Sequence, residues 1–191
     1  DLFIYASSSS IYGNNKNNLN PESFYAVTKK TIEDMSYVYH RIYKINFIGL
    51  RFFTVYGSWG RPDMFVYKFI EKSLQNKVID IYNFGNHKRS FTHIDDVIFN
   101  FNLLFKKYSK YSKKIFKIYN IGNPKSVKLK NLITEIEKII NIKAKKRVMA
   151  IQKGEVKSTK ANITKEIKSF NSKYQINTAQ GIKEFYEWFK L

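Results

Sequence analysis

Tyr25 and Lys29 lie four residues apart in the run Tyr25-Ala26-Val27-Thr28-Lys29, downstream of four consecutive hydroxyls, Ser7 to Ser10. On a helix that spacing puts both side chains on one face. An ammonium close to a phenol favours the phenolate, because opposite charge stabilises the ionised form. A phenol brought down from its usual pKa of about 10 toward neutrality is a usable general base. Ser8 offers a hydroxyl that would hold a substrate oxygen between the two. Taken alone the spacing is weak: an ordinary amphipathic helix with a surface lysine has it too, and the chain carries 14 tyrosines.

The elements around the pair strengthen it. Phe3-Ile4-Tyr5-Ala6 reads as a buried strand that empties into the serine run and then Tyr12-Gly13. Asn14 to Glu22 is a polar loop containing Pro21, and a long helix from Glu22 to about Tyr43 follows it. Ile45 to Phe53 is a second apolar strand, and 54–63 reads as a Gly/Pro loop. Further along, the pattern predicts a helix from Asp63 or Met64 to Gln75, a strand over Ile79 to Tyr82 and a turn at Asn83 to Asn86. A helix from Asp95 to about Tyr108, a strand from Ile115 to Asn120, a helix to about Ile140 and a short extended piece at Val148 to Ala150 come next. Two C-terminal helices are expected near 161–169 and 178–190. Alternating strands and helices argue an α/β fold with parallel pairing.

Strand, hydroxyl turn, loop and Tyr/Lys helix together resemble the catalytic half of a short-chain dehydrogenase/reductase. The likeness extends along nearly the whole chain through Ala6-Ser7-Ser8-Ser9-Ser10-Ile11-Tyr12-Gly13, Tyr25 to Lys30, Leu50-Arg51-Phe52-Phe53-Thr54-Val55-Tyr56-Gly57, Trp59 to Met64, Arg89-Ser90-Phe91-Thr92-His93-Ile94-Asp95-Asp96 and Tyr119 to Asn123. In that order these motifs resemble the extended branch of the superfamily, the nucleotide-sugar epimerases and dehydratases, and most of all UDP-glucuronate 4-epimerases. The resemblance implies the C-terminal part of a doubly wound Rossmann-type parallel sheet plus a smaller α/β substrate-binding lobe. Residues 1–57 would finish the NAD-binding sheet. Residues 58–191 would mainly form the nucleotide-sugar lobe, with the segments near 90–121 returning to the sheet. No G-x-x-G-x-x-G occurs and the chain opens on Asp1 inside a strand, so the expectation is a C-terminal fragment lacking most of the dinucleotide contacts.

The resemblance also implies roles. Ser8, Tyr25 and Lys29 would be catalytic, with Tyr25, Lys29 and the backbone edge of Phe52 against the nicotinamide end of NAD. Tyr25 would take the sugar 4-hydroxyl proton as C4 is oxidised, and the 4-keto sugar would turn before reduction on its other face. Ser9 and Ser10 stand where related dehydratases and decarboxylases carry ionisable residues. Their absence argues for epimerisation, and uncharged hydroxyls tolerate a substrate carboxylate. Thr54 would donate to that carboxylate, and Arg61 would close over the sugar or diphosphate. Tyr82 lies in the uracil-edge segment. Arg89 would bind the diphosphate through its guanidinium fork, with Phe91 beside the ribose. Glu155 would hold the ribose hydroxyls, although Lys153 and Glu155 depart from the usual Gln-Pro-Gly-Asp pattern. Asp95 and Asp96 would cap a helix and tie the lobes together, and His93 would be structural.

Bulk composition limits the alternatives. A hydrophobic content of 43% supports a sizeable core, and no apolar run reaches transmembrane length. The chain has no cysteine, which rules out disulfides and thiolate metal sites and fits a cytoplasmic protein. With three histidines and no acidic cluster, no metal site is expected. The net charge of +19 is spread through every segment and no nucleic-acid module is present, so compositional drift explains it better than nucleic-acid binding. The resemblance implies a homodimer through the Tyr25 helix, since its apolar Met35, Val38 and Ile42 need a partner; a core-facing role for them inside the monomer is the alternative. The competing readings are a UDP-glucose or UDP-N-acetylglucosamine 4-epimerase, and a non-catalytic basic fragment.

Overall fold

The computed structural model describes residues 2–14, 19–110, 114–152 and 156–191. Three strands form a parallel sheet in the order β1 (Leu2–Ser8), β2 (Asn46–Phe52) and β7 (Phe116–Ile121). Their register sets Ser7 beside Arg51 and Arg51 beside Asn120. Because side chains alternate along a strand, one face of the sheet carries Ile48, Leu50, Tyr119 and Ile121. Helix α3 (Ile94–Tyr108) buries Val97, Leu104 and Tyr108 among these residues.

The opposite face carries Tyr5, Ser7, Gly49, Arg51 and Asn120, and helix α1 (Phe24–Tyr43) lies over it. Ser23 starts α1 by accepting the Ala26 N–H at 3.1 Å. Lys44 ends it in a left-handed conformation, φ 60°. The residues that α1 buries are Ala26, Glu33 and Ser36. Its large apolar residues Phe24, Met35, Val38 and Ile42 face outward.

A second core fills the space between α2 (Phe65–Leu74), α4 (Leu129–Ile140) and α6 (Thr178–Phe189), with Phe69, Ile70, Leu132, Ile136, Ile182 and Phe185 at its centre. Helix α5 (Thr164–Phe170) packs against α3 and β7. The predicted alternation holds, with local corrections. The expected loop at 54–63 begins with β3 (Thr54–Tyr56), which pairs in parallel with β6 (Phe91–His93), because buried Tyr56 anchors an extended segment before Gly57 turns the chain. The strand after α2 is β4 (Ile79–Ile81), so Tyr82 opens a 3-10 turn instead of ending the strand. Its partner β9 (Lys146–Val148) starts two residues before the predicted extended piece. The pair β5 (Lys88–Arg89) and β8 (Val127–Lys128) is antiparallel, an exception to the parallel expectation. The helix expected from 161 starts at Thr164, since Ala161 and Ile163 are spent packing against Phe53.

Gly49 is the position where the α1 face needs the least bulk. A Cβ there would lie 2.6 Å from the Tyr5 ring, which crosses the strand at that point. Burial, then the nearby Glu33 carboxylate, push the Tyr5 phenol up to about 12, so it stays neutral. Gly49→Ala should lower stability by about 1–3 kcal/mol through overpacking. The urea midpoint at unchanged slope measures this. A loss below about 0.5 kcal/mol would mean the ring moves aside freely.

Candidate active site

The parallel strands end along one edge, the place where α/β sheets bind ligands. At the end of β1 the serine run divides its work. Ser7 donates to Glu33 at 2.6 Å. Ser8 caps a 3-10 turn (Ser9–Tyr12), accepting the Ser10 N–H at 3.2 Å and donating to the Ser10 hydroxyl at 3.1 Å. Ser9 and Ser10 are partly exposed on that turn.

Helix α1 brings Tyr25 and Lys29 to the same edge. The Lys29 ammonium donates to the Ala6 carbonyl at 2.9 Å and stands 5.8 Å from the centre of the Tyr25 ring. The Tyr25 side chain is 54% exposed and makes no hydrogen bond among the described residues through its hydroxyl, so a ligand can reach it. The loop after β3 carries Arg61, whose guanidinium grips Asp63 at 2.9 and 2.5 Å. Those hydrogen bonds and the Asp63 charge raise the Arg61 pKa.

The other anticipated residues sit on separate elements. Phe52 ends β2 with its backbone between Ser8 and Ile121, while its ring packs into the α3-side core. Thr54 lies in β3 opposite Phe91, partly buried. Tyr82 opens the turn Tyr82–Gly85, in which Asn83 and Phe84 take left-handed conformations, φ 49° and 52°. Phe84 is thereby strained and exposed, a combination that clusters at ligand sites. Arg89 lies in β5, where it donates to the Lys88 carbonyl at 3.0 Å. Glu155 and its neighbours Lys153 and Gly154 lie outside the described residues. Asp96 accepts the N–H groups of Gln175 and Ile176 at 3.0 and 3.2 Å, tying the C-terminal segment to α3. The cap of α3 is His93, not Asp95: its Nδ1 accepts the Asp95 N–H at 3.4 Å. The Asp95 and Glu184 carboxylates stand 3.6 Å from its two ring nitrogens.

Sequence reasoning missed a buried polar network behind this edge. Glu33, 3% exposed, receives Arg51 Nε at 2.8 Å and a second Arg51 nitrogen at 2.7 Å. The remaining Arg51 nitrogen donates to the Tyr12 hydroxyl at 2.8 Å, which donates to Asn120 at 2.8 Å. Burial works against the Arg51 charge, but the hydrogen bonds to Glu33 and the contact with Tyr12 outweigh it and hold the guanidinium above its ordinary pKa. The chain continues to α5, where buried Glu166 accepts the Asn120 N–H at 2.6 Å. Desolvation raises the Glu166 pKa. One signal was available: Glu33 repeats the four-residue spacing of Tyr25 and Lys29.

An exposed phenol, an ammonium and a hydroxyl turn at the ends of parallel strands define a nucleotide-cofactor type of α/β protein, and comparison narrows the class. Residues 1–122 match the NAD dependent epimerase/dehydratase family, and the chain belongs to it. An uncharacterised protein of Methanocaldococcus jannaschii is 44% identical over 97% of this chain and 58% of its own length. UDP-glucuronate 4-epimerase 5 of Arabidopsis thaliana is 37% identical over 97% of this chain and 47% of its own. A UDP-glucuronic acid 4-epimerase from Bacillus cereus, solved with UDP-glucuronic acid and NAD, superposes with a TM-score of 0.91 at 32% identity, covering all of this chain and 62% of that one. The chain thus spans about three fifths or less of the length of these relatives. The residues at the strand ends fit the nicotinamide end of such a cofactor: one ammonium stands beside an open, half-exposed phenol.

Tyr12 is the one hydroxyl that joins Arg51 to Asn120. Tyr12→Phe leaves both without that partner and should cost about 1–3 kcal/mol, read from chemical denaturation. An unchanged midpoint would show that water replaces the hydroxyl at no cost.

Proposed function

We propose that the complete gene product is an NAD-dependent UDP-sugar 4-epimerase that interconverts UDP-glucuronate and UDP-galacturonate. The observation that carries this reading is the half-exposed Tyr25 phenol beside the Lys29 ammonium, together with a turn after β1 in which Ser9 and Ser10 carry no ionisable group. The chemistry that NAD supplies when bound is reversible two-electron oxidation at the sugar C4. Tyr25 takes the proton from O4 as the carbonyl forms and returns it when the alcohol is restored. Lys29 offers donors to the nicotinamide ribose. The Ser8 hydroxyl turns from Ser10 to the substrate oxygen. Ser9 and Ser10 have no group to act as acid or base, so loss of water from the sugar is not assisted.

Thr54 donates to the uronate carboxylate and Arg61 exchanges Asp63 for the sugar or diphosphate. Arg89 takes the diphosphate, Tyr82 lies along the uracil edge, Phe52 offers its backbone to the nicotinamide and Glu155 accepts from the ribose. In this reading residues 1–57 complete the cofactor sheet and most of 58–191 hold the nucleotide sugar. The outward apolar face of α1, with Met35 and Ile42 more than half exposed, supports a homodimer through this helix.

The test is turnover of UDP-glucuronate by the complete gene product, with UDP-glucose and UDP-N-acetylglucosamine alongside. UDP-galacturonate should form well above the rate on the neutral sugars, and Tyr25→Phe should abolish turnover while UDP-sugar binding persists. Preference for a neutral sugar discards the uronate assignment. Full activity in the Phe variant removes Tyr25 as the base.

A further inference from the structure

Helix α1 is held on the sheet in an uncommon way. Of its 20 residues the buried ones are Ala26, Glu33 and Ser36, two small side chains and one carboxylate. Interdigitating apolar side chains, which normally fix how far a helix slides or rolls, are scarce on this face. Away from the Glu33 region, the sheet-facing ring contacts are Tyr37 and His40 against Phe116, toward the C-terminal end of the helix. Near Tyr25 the directional contacts are polar: Lys29 to the Ala6 carbonyl, and the three donors gathered on Glu33.

We propose that the Glu33–Arg51 pair is a positioning element that sets Tyr25 and Lys29 in register with the end of β1. This rests on the reading of Tyr25 as the base. Glu33 is one helical repeat from Lys29 and two from Tyr25, so all three project from one face. Its carboxylate spans two strands, because Ser7 and Arg51 are direct register partners in β1 and β2. A fork of two parallel hydrogen bonds fixes orientation as well as distance. Slippage of α1 along the sheet would break both bonds and carry Lys29 away from Ala6. Arg51 is itself held by Tyr12, on the turn that Ser8 caps, so base and serine turn are referred to one guanidinium. Buried ion pairs are poor sources of net stability, which leaves geometry as the contribution of this one.

The experiment uses the complete gene product with NAD bound. Glu33→Gln, Arg51→Lys and the double variant Glu33→Gln/Arg51→Gln are compared for kcat, KM, unfolding midpoint and hydrogen exchange of amides 26–33. Arg51→Lys keeps the charge but loses the fork, and the double variant removes both charges together. The expected result is a kcat about 10–100-fold lower with KM within about twofold, since misplacement by about 1 Å is enough for such a loss. The double variant should recover the wild-type midpoint without recovering kcat, and amides 26–33 should exchange faster. A kcat that simply follows the midpoint across the variants overturns the proposal, as does wild-type kcat in a folded Arg51→Lys. If the unmutated protein turns over no UDP-sugar, the reading of Tyr25 falls. Exchange then decides the anchoring alone, and unchanged protection at 26–33 would overturn it.

Discussion

A single buried carboxylate organises the meeting of helix and sheet. Glu33 collects a hydroxyl from β1 and a forked guanidinium from β2, and the same guanidinium reaches the turn after β1. Charge burial on this scale is tolerated because almost every donor and acceptor in the network has a partner. Strand register makes this possible: Ser7, Arg51 and Asn120 are neighbours across three parallel strands and emerge on one face. Polar residues at the carboxyl ends of those strands, with apolar residues facing α3 below, are the compromise between packing a core and presenting chemistry.

Much of this was legible in the sequence because it depends on spacing. The Tyr25/Lys29 pair, the serine turn and the strand before it are local patterns, and the fold preserved them within a few residues. Glu33 and Arg51 were not legible as a pair, although the four-residue spacing marked Glu33. A glutamate in a polar helix and an arginine at a strand end each default to solvent, and only the three-strand register shows that they face one another. The helix hid them further, since its apolar Met35, Val38 and Ile42 face outward, as expected of a face awaiting a partner, and leave small and polar residues toward the sheet.

The shorter misses have local causes. Thr54 to Tyr56 looked like loop because Gly57, Gly60 and Pro62 follow at once, yet three residues suffice for a strand when Phe91 to His93 lie alongside. Two-residue pairs such as Lys88–Arg89 with Val127–Lys128 carry no periodicity to read. Asp95 resembles a helix cap in sequence, but the ring of the preceding His93 reaches the cap position instead. In the two strand cases a tertiary neighbour decided between conformations that the local residues allowed equally, whereas at α3 the deciding contact is local.

The Tyr5 ring lying across Gly49 has a consequence for how such a chain can change over time. Neither position is free to drift alone: a larger residue at 49 collides with the ring, and a smaller one at 5 opens a void beneath the helix that bears Tyr25. Homologous sequences should therefore vary at these two sites as a linked pair, trading bulk on one strand for bulk on its neighbour.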